Sequence, residues 1–202
     1  MIINIIGPAK FTGTRTVDAV AVDVFSSGCA IFIDSQSASN IQFGAVNRFT
    51  FSGSVVGASA GYDGTYNEVY SAWIAKVDDG RAIASWAPDV GSGSIVPQFA
   101  IMDDSDPPSV GTVLNSACGY TGNSDSLKTI VLSASRAVAM ARYKRELFNL
   151  GISSTTVTKI ASTNMFTETL GVALTDICRI DDTTALLIAS QGAFTATSYP
   201  EG

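Results

Sequence analysis

The chain of 202 residues contains no histidine. That excludes a Ser-His-Asp or Cys-His catalytic set, a histidine-bound zinc or iron, and an imidazole switch near neutral pH. Charge is scarce too, at 15% of residues, where a typical globular domain carries roughly 25%. Eighteen Asp and Glu outnumber twelve Lys and Arg, and no basic run is longer than Lys144-Arg145, so nucleic acid is not an expected partner. No stretch approaches the roughly 20 apolar residues of a membrane span, and no membrane insertion is expected. The start, Met1 to Pro8, has neither the basic opening nor the long apolar run of a signal peptide. Synthesis and folding in the cytoplasm follow, with release as part of an assembled particle.

Cysteine is sparse. Cys29, Cys118 and Cys178 lie far apart with no C-x-x-C pair, which removes a thioredoxin-like motif and a metal knuckle. Each sits beside small apolar residues, so buried free thiols are expected, with one disulfide as the alternative. What fills the surface instead of charge is a supply of 24 Ser, 19 Thr and 18 Gly.

Against these absences stands a repeat. A strand, a short polar turn and a second strand opening on a small residue recur four times. The copies are Val17 to Val24 with Gly28 to Ile33, Tyr70 to Val77 with Arg81 to Trp86, Leu127 to Leu132 with Arg136 to Met140, and Val172 to Ile180 with Thr184 to Ile188. Each turn has the Asp, Gly or Ser of a tight hairpin. Ala30, Ala82, Ala137 and Ala185 open the second strands at intervals of 52, 55 and 48 residues, and the two chain ends together supply another 47.

Two further strand-like runs follow each hairpin. They are Ile41 to Val46 and Phe49 to Val56 in the first repeat, Val96 to Met102 and Ser109 to Leu114 in the second. The third repeat offers Thr155 to Ile160 and a weaker run at Asn164 to Thr169, and the fourth only Ala193 to Tyr199. Its last strand would come from Ile2 to Ile6 or Lys10 to Thr16. The one helical candidate, Ser135 to Leu150, is broken by strand periodicity and has no cap.

The expected fold is therefore all-β: a four-bladed β-propeller with blades at about 17–68, 69–123, 124–169 and 170–202 plus 1–16, a twisted β-sandwich being the alternative. Strands apolar on both faces, such as Ala82-Ile83-Ala84-Ser85-Trp86, fit sheets stacked between sheets. The apolar strand, Asp-Asp-Gly-Arg-Ala turn and alternating strand of Val77 to Trp86 resemble β-propeller repeats of bacterial and phage surface proteins. The resemblance implies a binding or scaffold platform and carries over no catalytic residue.

Three groups of residues are candidates for chemistry. Asp103, Asp104 and Asp106 crowd one connection as hard-cation ligands would, so calcium is the one conceivable cofactor, although the loop lacks an EF-hand's Gly and distal Glu. Asp78-Asp79 and Asp181-Asp182 share a repeat position and could supply the paired carboxylates of a glycosidase, but hairpin turns favour Asp there. The arginines are scattered; only Arg81 and Arg136 share a position. Tyr62, Tyr66 and Tyr70 lie in a long glycine-bearing connection, with Tyr120 in its counterpart one repeat later, where a sugar ring could stack. Trp73 and Trp86 fall within strands and are read as core. The expected function is a non-enzymatic structural or adhesive component of a virion, partnered by other virion proteins or by itself as a homo-oligomer. A soluble glycan-binding lectin contacting cell-surface glycan is the alternative, and a propeller glycoside hydrolase the third reading.

Overall fold

The computed structural model describes residues 20–24, 28–33, 41–47, 53–58, 69–88, 96–105, 109–115, 127–141, 146–164 and 172–191. These residues fold as β-strands, arranged in antiparallel meanders. Blade 1 is β1 (Val20–Val24), β2 (Gly28–Ile33), β3 (Ile41–Asn47) and β4 (Gly53–Ala58) in that spatial order. Blade 2 is β5 (Val69–Asp78), β6 (Arg81–Pro88), β7 (Gln98–Asp103) and β8 (Leu114–Asn115). Blade 3 is β9 (Leu127–Ser133), β10 (Arg136–Ala141), β11 (Glu146–Ile152) and β12 (Val157–Asn164); of blade 4, β13 (Val172–Arg179) and β14 (Ala185–Gln191) are described.

The first strand of each sheet meets the first strand of the next: β1 lies against β5, β5 against β9, and β9 against β13. Sheets joined through successive inner strands radiate from an axis, which is the propeller arrangement the repeat demands. Each alanine pairs with the inner strand of its own blade, six residues back in blades 2 to 4 and seven in blade 1. Ala30 stands opposite Asp23, Ala82 opposite Lys76, Ala137 opposite Val131, and Ala185 opposite Arg179.

The core lies between blades 2 and 3. Ile83, Ala87, Phe99 and Ile101 of blade 2 pack on Leu127, Ala137, Ala139, Ala141, Phe148, Leu150, Ile152 and Val157. The period of two along β10 and β11 places these residues on one face, and the three alanines leave room for rings. Phe99 and Phe148 use it, their centroids 5.8 Å apart and tilted by 59°. Polar groups at the same interface are matched: Ser85 Oγ and Thr129 Oγ1, both fully buried, share a hydrogen bond of 2.8 Å. At the edge, Thr112 bridges to Thr156, and Gly111 comes so near blade 3 that a Cβ there would sit 1.9 Å from the Thr155 carbonyl oxygen.

Three expectations need correction. In the third repeat, Thr155 to Ile160 is not the third strand; with Val157–Asn164 it forms the fourth, and the third is Glu146–Ile152. The signal lay in the alternation of buried Phe148, Leu150 and Ile152 with Leu147, Asn149 and Gly151, obscured by the charged residues just before it. In the second repeat, Ser109 to Leu114 is not one strand but two isolated bridges, Val110 to Met102 and Thr112 to Thr156, before the short β8. Cys178 is an exposed free thiol, because it falls on the face of β13 opposite the buried Ile177. The side chain of Cys29 and all of Cys118 lie outside the described residues, as do 1–16 and Ala193 to Tyr199.

Candidate binding site

Because Ala137 and Ala139 face blade 2, the intervening positions of β10 turn the other way, and with them the odd-numbered residues of β11. Arg136, Val138, Leu147 and Asn149 thereby share the second face of blade 3. With Leu132, Ala161, Ser162 and Thr163, and with Asp182 and Thr183 from the β13–β14 turn, they line a cavity of about 480 Å³. Phe148 lines it too, so the apolar part of the lining is Leu132, Val138, Leu147, Phe148 and Ala161. The polar part carries a guanidinium, a carboxylate, an amide and hydroxyls, and Arg136 Nη1 donates to Asn149 Oδ1 at 3.3 Å.

The turn that closes this cavity is built by its own acids. Asp181 Oδ1 accepts from Thr183 N and Oγ1 at 2.7 and 2.9 Å, and Asp182 accepts from Arg179. The hydrogen bonds from Thr183 hold the Asp181 carboxyl below the usual carboxylate range. The β5–β6 turn uses the same device: Asp78 accepts from Gly80 N at 3.1 Å and from Arg81 Nε and Nη2 at 2.8 and 2.6 Å, and Arg81 chiefly lowers its pKa, against some desolvation. Arg81 also donates to the Ser153 carbonyl at 2.8 Å, tying the turn to blade 3. Both Asp pairs thus serve hairpins, as turn chemistry suggested.

A second group lies on the inner strands. Three residues before the positions opposite the alanines stand Val20, Trp73, Lys128 and Asp176, one from each blade. Lys128 Nζ lies 5.2 Å from the centroid of the Trp73 ring and pairs with Asp176, joining blades 2, 3 and 4. That pairing is the main cause lowering the Asp176 pKa, helped by the Ile177 N–H. Between blades 1 and 2, the Lys76 N–H donates to Asp23 Oδ2 at 2.5 Å. Trp86 is core, as its strand position implied, whereas Trp73 is half-buried and carries this cation.

Of the residues singled out in the sequence, Asp103 and Asp104 close β7. Asp103 Oδ1 accepts from Ser105 N, Ser105 Oγ and Ser109 N at 3.2, 2.5 and 2.7 Å, so its oxygen organises its own loop. Asp104 donates its N–H to the Gly80 carbonyl at 3.0 Å. Asp106, Tyr62, Tyr66 and Tyr120 lie outside the described residues; Tyr70 is on β5, not in the connection before it. Sequence reasoning missed Asn149, Ser162 and Thr163 because β11 and β12 were misplaced, although Arg136 and Asp182 were already marked as recurring positions.

No protein-family model matches the chain, and no curated protein sequence matches it. Among solved structures, NanB plus Optactamide is similar in fold, with a TM-score of 0.57 at 9% identity over 87% of this chain and 27% of that one. The likeness is one of propeller architecture, and this chain spans about a quarter of that protein's length.

Proposed function

We propose that the chain is a non-enzymatic attachment module that holds carbohydrate in the cavity between blade 3 and the turn of blade 4. The observation that carries this reading is the mixed lining: apolar Leu132, Val138 and Leu147 together with Arg136, Asn149, Thr163 and Asp182. A pyranose offers the complementary surface, an apolar C–H face bordered by hydroxyls, and small-ligand sites combine these two features. Attachment to a virion or to another particle would use the same cavity.

A glycan array followed by calorimetry on the best hit tests the reading. The expected result is a saturable, millimolar or tighter signal that Asn149→Ala and Arg136→Ala each weaken at least several-fold without changing the melting temperature. An array with no hits overturns carbohydrate binding, and cleavage of the bound glycan overturns the non-enzymatic half.

A further inference from the structure

Three arginines lie among the described residues, each beside the first hairpin turn of its blade: Arg81 in blade 2, Arg136 in blade 3 and Arg179 in blade 4. Arg81 opens β6 opposite Asp78, and that carboxylate takes its Nε and Nη2 donors. Arg179 closes β13 and pairs with Asp182 of the turn. Arg136 opens β10 at the position that Arg81 holds in β6, but the residue opposite it is Ser133. Blade 3 thus repeats the arginine of blade 2 and omits its acid. Ser133 serves its own turn, where its Oγ accepts from Ser135 N at 3.4 Å.

That substitution leaves one charge of the cavity unanswered. Among the described residues, Lys76, Arg81, Lys128 and Arg179 each pair with an Asp, while Arg136 and Lys159 stand outside the ion pairs. Of these two, Arg136 lines the cavity, exposed, with its guanidinium given to the neutral amide of Asn149. The other charged side chain of the lining, Asp182, is already matched by Arg179 within its own turn. A guanidinium presents a planar fork of donors that fits a carboxylate, as Arg81 does for Asp78. We propose that the ligand of this cavity is an acidic sugar, one bearing a carboxylate, which takes at Arg136 the place that Asp78 takes at Arg81. The inference rests on the carbohydrate reading above and names the class of sugar within it.

An array of carboxylated, sulfated and neutral glycans, read with the full chain, tests this, followed by calorimetry on the strongest hit and on its methyl ester. Carboxylated glycans are expected to lead the array, and the ester to bind at least about tenfold more weakly than the acid, the scale of one lost charge-assisted hydrogen bond. Arg136→Gln is expected to lower the acid to the affinity of the ester and to leave the ester where it was, whereas an arginine that only shapes the cavity would weaken both alike. Ser133→Asp restores the acid that blade 2 has at this position, so it should occupy Arg136 and remove the preference for the acid; it serves if Arg136→Gln does not fold. A preference for the acid that survives both substitutions overturns the proposal. Neutral or sulfated glycans that bind as tightly, or an ester equal to its acid in the wild type, also overturn it while leaving carbohydrate binding in place. An array with no hits removes both readings.

Discussion

At Asp78, one carboxylate satisfies a turn N–H and the Nε and Nη2 donors of a guanidinium whose Nη1 reaches across to blade 3. A carboxyl whose pKa is lowered on folding contributes stability above its ordinary range, and that contribution is lost as pH falls through the folded-state value. The wild type is therefore expected to lose more of its urea midpoint than Asp78→Asn between about pH 5 and pH 2, the range in which free and bonded carboxylates titrate. Parallel pH profiles would refute the assignment. Gly111 works by absence. Its missing Cβ admits the Thr155 carbonyl, while its N–H donates to the Ile101 carbonyl at 2.8 Å, so the backbone can retreat little. Gly111→Ala should cost about 1–3 kcal/mol, the usual range for forced overpacking, read from chemical denaturation; an unchanged midpoint would mean the blades slide apart freely. The Asp in the turns was legible from local chemistry, but the need for Gly111 was not, since Thr155 lies in another blade.

Among the elements, the hairpins were easiest to read, because each is closed by a short turn and carries its apolar pattern within a few residues. β11 was hidden: Phe148, Leu150 and Ile152 alternate as a strand should, yet the charges of Arg142 to Glu146 interrupt the pattern. Reading the third strand as Thr155 to Ile160 in place of Glu146–Ile152 displaced the fourth, and with it Asn149, Ser162 and Thr163 of the cavity lining. Blade 4 depends visibly on its neighbour, through buried Ile177 and the Lys128–Asp176 pair backed by the Trp73 ring. Lys128→Met keeps the stem and removes the charge. Hydrogen exchange should then quicken in β13 and β14 while β6 and β7, buried on both faces, keep their protection. Equal acceleration across the blades would show that the pair steadies the whole molecule and not one junction. High salt should reproduce part of the effect in the wild type, since Asp176 is largely exposed.

For the molecule as a whole, the spacing of Ala30, Ala82, Ala137 and Ala185 was sufficient to propose radial sheets, because four units of similar length and register have few other ways to bury two apolar faces each. The scarcity of charge follows from the same demand: in β6, Ala82 to Ala87 are all buried, so neither face can hold an ion. The cavity proposed for binding arises where the β13–β14 turn of blade 4 meets the second face of blade 3, so it exists only once two blades are stacked.

The amino-acid sequence by itself determined the hairpins, the fourfold repeat, the acidic turns and the absence of imidazole chemistry, all of which depend on neighbours in the chain. Only the tertiary structure decided which side chains meet. Lys128 reaches Trp73 and Asp176, Arg81 reaches Ser153, and Arg136 joins Asn149 and Asp182 around one cavity. Those meetings are set by the stacking of separate sheets, a long-range packing of apolar faces that fixes register between blades and leaves no trace in the spacing of the residues it brings together.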